Sequence, residues 1–325
     1  MTRLQVCLAL AVSCLAAAEL PQAEISNRAV SATLYLPDSQ DGYYRATRFD
    51  WSGVVASLVW NGHSYFGKWF DRYDPKIHDA IMGPVEEFLT GNAGLGYAEA
   101  KAGENFVKIG VGALRKPDES GFQQFHTYEI ADPGEWTIAR LPDGIEFTQE
   151  LAAVNGYAYL YRKRVRLREN PPGLVLEHSL KNKGRKTIET SVYEHDFFML
   201  DAQPTSPDTV VTFPFEVRAG KSLAGLAETR AKQVVFLHEL ARGETVFTDL
   251  EGYGTAASDY DIRVENRKTG AGVRQTSDRP ISKLVLWSIR ATVCPEAYID
   301  LKIEPGQEFT WRINYDFYTL PAGKQ

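Results

Sequence analysis

The chain has 325 residues, with 36 Lys and Arg against 42 Asp and Glu, for a formal net charge of −6. A chain with this balance has no general attraction to nucleic acid or anionic lipid, so neither is expected as a partner. Its three cysteines form no C-x-x-C pair or Cys/His cluster, which argues against a structural zinc site, and no residue is singled out as a metal ligand.

At the amino end, Met1-Thr2-Arg3 leads into an apolar stretch over residues 4–15, and Ala16-Ala17-Ala18 precedes Glu19. That is the layout of a secretory signal peptide. The apolar run is shorter than the roughly 20 residues a bilayer-spanning helix needs. The expectation is a signal peptide over 1–18, a single domain over 19–325, no membrane span, and a secreted or periplasmic location. Ala11-Val12-Ser13-Cys14 also approaches a lipoprotein signal, in which Cys14 would carry a lipid anchor, though ordinary secretion is the favoured reading. Loss of the leader would remove Cys7, Cys14 and Arg3, leaving Cys294 without a partner and a charge balance of 35 against 42. A core of this size closes without disulfide staples.

Short runs of β-branched and aromatic residues then recur, bounded by Gly, Pro, Asn or Asp, over 32–36, 54–60, 106–111, 156–167, 174–180, 210–217, 262–264, 284–289 and 309–317. Each reads as a strand. From 174 the alternation is regular: Leu174, Leu176, His178 and Leu180 share one face, and Glu177, Ser179 and Lys181 the other. His178 is therefore read as a core histidine with a backbone partner. Asn61-Gly62, Pro142-Asp143-Gly144 and Asn182-Lys183-Gly184 supply hairpin turns. The best helical pattern, over 223–233, lasts about three turns. Gly110 and Gly112 sit in what reads as a bulged strand. With no linker, charge block or repeat, the pattern predicts an all-β chain built as one large antiparallel β-sandwich. The 12% aromatic content suits a sheet core first and stacking faces for sugar rings second.

Two segments carry the chemistry. Thr187-Ile188-Glu189-Thr190-Ser191-Val192-Tyr193 reads as a strand that delivers His195 at its end, followed by Asp196-Phe197-Phe198. Imidazole exchanges a proton near neutral pH, which suits it to general acid work. Some 100 residues on, Glu296 interrupts the apolar run Val293-Cys294-Pro295-Glu296-Ala297-Tyr298-Ile299. Buried, it would have a raised pKa and make a base near neutrality. On an edge strand, which Pro295 suggests, it would face water instead. Residues 83–88, Gly-Pro-Val-Glu-Glu-Phe, add Glu86 and Glu87, and Arg45 and Arg48 follow Tyr43-Tyr44. Such carboxylates could accept sugar hydroxyls, hold calcium, or form an acid/base pair of the glycosidase kind. Either arginine could bind an acidic sugar, or simply be solvated. No nucleophile elbow, phosphate-binding glycine loop or metalloprotease histidine pair is present.

His195-Asp196-Phe197-Phe198, Cys294-Pro295-Glu296-Ala297 and Ile303-Glu304-Pro305-Gly306-Gln307-Glu308 together resemble the galactose mutarotase-like aldose 1-epimerases, closest in style to the hexose-6-phosphate epimerase-like members. The resemblance runs over nearly all of 19–325. It implies the supersandwich fold of that superfamily and an exported isomerase that interconverts sugar anomers without a cofactor. Glu296 would take the proton of the C1 hydroxyl while His195 protonates the ring oxygen, from opposite sides of one hemiacetal. Glu86, Glu87, Tyr97 and Arg45 would line the substrate cleft, and the partner would be a monosaccharide or the sugar end of an oligosaccharide. One departure stands out: a second histidine and an arginine of the family segment become Leu95 and Glu99. The Glu99 change disfavours a sugar phosphate, and Leu95 motivates one alternative, a carbohydrate-binding protein without efficient epimerase activity. A further alternative, from the paired carboxylates, is a glycosidase or lyase accessory on a related sandwich.

Overall fold

Strands of alternating polarity bury one face each, so sheets made from them are stable only when stacked face to face. A computed structural model describes residues 20–321, and the leader read over 1–18, with Cys7 and Cys14, lies outside the described residues. Ten strands form one sheet, in the order Ala227–Arg230, Gln233–Phe236, Thr209–Thr212, Asp261–Asn266, Ala271–Ser277, Glu308–Thr319, Pro172–Asn182, Tyr157–Glu169, Gly144–Val154 and Glu135–Leu141. Six form the second: Arg218–Ala219, Thr245–Glu251, Lys283–Ile289, Thr292–Ile303, Ile188–His195 and Val85–Leu89. The ladders of both are antiparallel. A four-stranded and a three-stranded sheet complete the described strands, and the described helical elements are two short 3-10 turns. The fold is the large antiparallel β-sandwich that the alternation predicts.

The main core fills the space between the two large sheets. Tyr159, Val165, Leu174, Leu176, Leu180 and Ile313 enter it from the ten-stranded sheet, and Ile188, Val192, Leu286, Val293, Ile299 and Leu301 from the six-stranded sheet. The predicted inward face of Leu174, Leu176, His178 and Leu180 is observed. A second apolar cluster, including Phe49, Trp51, Ile81, Met82, Phe197 and Cys294, packs on the other side of the six-stranded sheet. Backbone segments before and after Val85–Leu89 thus cover part of that sheet's outer face.

Three local readings differ from the structure. The helical pattern over 223–233 is a turn followed by the strand Ala227–Arg230, which pairs with Gln233–Phe236. Ala224, Gly225 and Ala231 all take positive φ, which a helix cannot contain, and pairing outweighs a weak local propensity. The stretch at 109–111 is the tight turn of a hairpin between Asn105–Lys108 and Gly112–Arg115, and the irregularity lies just beyond it, a register shift between Ala113 and Leu114 in the ladder with Glu129–Asp132. Gly110 has φ 80°, and a Cβ there would lie 2.6 Å from the Asp50 carboxylate. The strand read over 210–217 ends at Thr212, just before Phe213-Pro214, because proline cannot donate to the ladder.

Candidate functional site

Residues two apart on a strand share a face, so Tyr193 and His195 point the same way, as do Cys294, Glu296 and Tyr298. Their neighbours Val192, Val293, Ala297 and Ile299 fill the main core, which leaves the first set on the outer face of the six-stranded sheet. Register then brings the two strands' side chains together. Tyr193 lies opposite Tyr298 and Phe198 bridges Val293, so two residues on from the tyrosine pair His195 faces Glu296. The tyrosine rings stack at 4.3 Å, and His195 Nε2 lies 3.3 Å from Glu296 Oε1.

The His195 ring is fixed on three sides. Phe197 stacks on it at 3.8 Å, and Phe49 and Trp287 meet it edge-on at 5.5 and 5.4 Å. Phe197 itself sits at φ 45°, a conformation that costs on the order of 1–3 kcal/mol for a non-glycine residue. Its amide donates to Cys294 Sγ at 3.2 Å. Gly83 permits the close passage of the neighbouring segment, since a Cβ there would lie 2.1 Å from the Asp196 carbonyl oxygen.

Glu87 lies beneath this pair, fully buried, on the strand that runs beside Ile188–His195. It accepts hydrogen bonds from Tyr193 Oη at 2.5 Å, Arg48 Nε at 2.9 Å and Gln124 Nε2 at 3.0 Å, and Lys108 Nζ stands 3.3 Å away. Arg48 also pairs with Asp79, and its guanidinium lies 4.4 Å from the Phe49 ring centroid. Above these groups opens a cavity of about 230 Å³, lined by Arg48, Trp69, His195, Trp287, Glu296 and Tyr298 among others. Phe125 and Phe247 also line it, 58% and 52% exposed.

Burial, with a further push from the Glu87 charge, raises the Glu296 carboxyl to about 8 against the opposing pull of Arg48. Burial and the Arg48 charge hold His195 well below the ordinary histidine range. Burial would raise Glu87 as well, but the charges of Arg48 and Lys108 and the Tyr193 hydrogen bond keep it low and ionised. At neutral pH the resting pair therefore holds one proton, on Glu296, beside a neutral imidazole. The Glu296-as-base assignment needs that proton on His195 instead, a transfer across the 3.3 Å contact.

Of the residues singled out in the sequence, His195 and Glu296 meet in the cavity, side by side on one wall because they are cross-strand neighbours on one face. Glu87 lies beneath them. Glu86 points to the opposite side of the same strand, into the space between the sheets, where Lys163 Nζ is 2.5 Å away and His178 Nε2 2.6 Å. His178 thus has a side-chain partner in Glu86. Tyr97 packs in the second apolar cluster and donates to the Ser120 carbonyl, and Arg45 bonds to the Gln40 carbonyl. Both lie outside the cavity lining, and Arg48 is the arginine that lines it. Leu95 is buried in the main core and Glu99 pairs with Lys186, so neither reaches the cavity. Glu296 does not face water: it is buried, although the ladder with Ile188–His195 stops at Tyr298 and Glu296 is paired on one side, with Val285. Tyr193 and Tyr298 could have been found from the i, i+2 rule. Trp69, Asp79 and Phe125 come from segments without periodicity and carry no such signal.

Glu86, His178 and Glu194 bring potential ligand atoms within 4.8 Å of one another. The Lys163 ammonium, 2.5 Å from Glu86, supplies a positive charge to this group. Another depression, of about 310 Å³, lies on the outer face of the ten-stranded sheet against Arg162, Arg164, Glu146 and Glu177, where Arg164 and Glu146 already pair.

No protein-family model matches the chain, and no curated protein matches it. Solved structures do. The GalM/aldose epimerase homologue from C. elegans superposes with a TM-score of 0.57 at 14% identity, over 93% of this chain and 100% of that one. A galactose mutarotase-like protein from Lactobacillus casei ATCC 334 gives 0.55 at 11%, over 91% and 100%. One from Clostridium acetobutylicum gives 0.53 at 11%, over 93% and 99%. The chain has the galactose mutarotase-like fold.

Proposed function

We propose that the protein interconverts the anomers of a sugar by general acid/base catalysis at Glu296 and His195. The observation that carries this reading is a buried carboxyl, raised to about 8, within 3.3 Å of an imidazole in a cavity walled by aromatic rings. A general acid or base works best with its pKa near the operating pH. The fold shared with an aldose epimerase homologue supports the same reading.

Ring opening needs one proton removed from the C1 hydroxyl and one delivered to the ring oxygen. The C1–O5 bond breaks as the C1 carbonyl forms, the C1–C2 bond rotates, and closure reverses the steps to give the other anomer. Both oxygens are bonded to C1, so two side chains standing side by side can reach both. A single shared proton suffices, because the group that gives it up is matched by the one that receives. The aromatic walls would pack against the C–H faces of the ring.

Polarimetry on freshly dissolved sugars tests the reading. Wild type should speed the approach to rotational equilibrium, and Glu296→Gln should abolish the gain. Equal rates before and after the change would end the proposal. A second reading, a carbohydrate-binding protein without turnover, is favoured by one observation: His195 is the single imidazole in the cavity lining. Sugar affinity with no gain in rate in wild type would select it.

A further inference from the structure

A second, larger cavity adjoins the first. It measures about 670 Å³, and Trp69 lines both. Phe247 lies opposite Trp287 in the ladder, and Thr245 opposite Ile289. Phe247 and Trp287 line the first cavity, while Thr245 and Ile289 line the second. The two spaces are thus successive stations on one face of one strand pair, two residues or roughly 7 Å apart. Ligand pockets run from about 300 to 1,000 Å³. At about 230 Å³ the first cavity falls short of that range alone, and the second supplies the missing space.

The chemistry of the walls is continuous as well. Trp69 is held rigid by its indole N–H, which donates to the Ile81 carbonyl at 2.8 Å, and by stacking on Phe197 at 4.7 Å. It stands between the cavities as a flat apolar face. Phe247 is half exposed beside it, with Lys221 Nζ 4.2 Å from its ring centroid. An exposed phenylalanine at a cavity edge is free to stack on a ligand. The second cavity's charges cancel: Arg242 and Arg290 stand against Asp71 and Glu244, and Arg242 pairs directly with Asp71. In the first cavity Arg48 is already engaged by Glu87 and Asp79. Lys283, which also lines it, lies 3.9 Å from Asp249, and Arg290 of the second cavity pairs with Glu239, so each cation of the two linings has a carboxylate neighbour.

We propose that the two cavities are subsites of one groove and that its ligand is a neutral oligosaccharide. This rests on the anomer-converting reading, which also sets the direction of the chain. Only the reducing end of an oligosaccharide carries a free hemiacetal, so that ring enters the His195–Glu296 cavity. The units behind it pass Trp69 into the second space.

Calorimetric titration of the whole protein with D-glucose, D-galactose and D-mannose, and with their homo-oligomers of two to four units, tests the inference. The best oligomer should bind roughly tenfold or more tightly than its own monomer. Thr245→Trp, at an exposed position, fills the second cavity and should bring that oligomer-to-monomer ratio close to one, with a circular dichroism melt reporting that the variant is folded. An equal affinity for monomer and oligomer in wild type overturns the inference, as does a ratio that survives Thr245→Trp. Tighter binding of galacturonate oligomers than of any neutral series also overturns it. If monomers are anomerised but oligomers bind no better, the groove falls and the proposed activity stands. If oligomers bind with the expected ratio and no anomer turnover follows, the activity falls and the groove stands. Binding of no sugar ends both.

Discussion

Glu86 and Glu87 are consecutive residues whose carboxylates lie on opposite faces of one strand, each neutralised by a different cation. Glu86 faces the interior and meets Lys163 at 2.5 Å, while Glu87 faces the cavity side and meets Arg48 at 2.9 Å. Removing one partner of a buried pair leaves an uncompensated charge. Glu86→Gln should therefore lower stability on the order of 3 kcal/mol in urea denaturation. A loss below about 1 kcal/mol, the range of an exposed pair, would show that Lys163 has another adequate partner.

Glu296 links stability to pH. Its carboxyl rises from an ordinary 4.5 to about 8 in the folded protein, so the folded state holds a proton that the unfolded chain releases. The stabilisation from this proton is complete below about 4.5 and is lost as pH rises through about 8. Glu296→Gln cannot ionise and should gain stability relative to wild type between pH 6 and pH 9. A constant difference between the two denaturation midpoints over that range would contradict the raised value. In the same window the anomerisation rate should fall as the pair loses its single proton.

Cys294 should be inert in the native protein. Its side chain is fully buried, and burial raises the thiol well above its usual range. Ellman's reagent should leave Cys294 unmodified in the folded protein and label it in denaturant, with the site read by peptide mapping. Rapid native labelling there would mean that the Phe197–Cys294 contact opens.

Gly83 is a steric requirement of the site. A Cβ at this position meets the Asp196 carbonyl oxygen at 2.1 Å, backbone against backbone, with no flexible side chain to give way. Gly83→Ala should cost about 1–3 kcal/mol of stability. By displacing the His195–Phe197 segment it should also slow anomer interconversion, both readable in one denaturation series and one polarimetric assay. Unchanged values in both would show that the two segments separate freely.

Local patterns were legible where periodicity operates. The alternation of Leu174, Leu176, His178 and Leu180 named a buried face correctly, and an isolated carboxylate in an apolar run marked Glu296 as unusual. Patterns failed where one local signal had two outcomes. Leu223, Leu226 and Ala227 have helical spacing, but Ala224 and Gly225 in positive φ make a turn before the strand, and Ala231 in positive φ sits in the turn of the hairpin with Gln233–Phe236. Arg45 was the arginine expected in the cleft and Arg48 is the one that lines it, because a loop has no period that says which one faces inward.

The amino-acid sequence by itself determined the β class, the hairpin at Asn61-Gly62 and the two residue types able to move a proton, since each depends on near neighbours along the chain. Only the tertiary structure decided that Glu86 belongs to the interior and Glu87 to the site, that His195 and Glu296 share one wall, and that Trp69 stands between two cavities. Those outcomes depend on ladder register and on loops packing across a sheet. Shifting a strand by one residue turns every side chain to the other face, and what sets that shift is contact between segments a hundred residues apart.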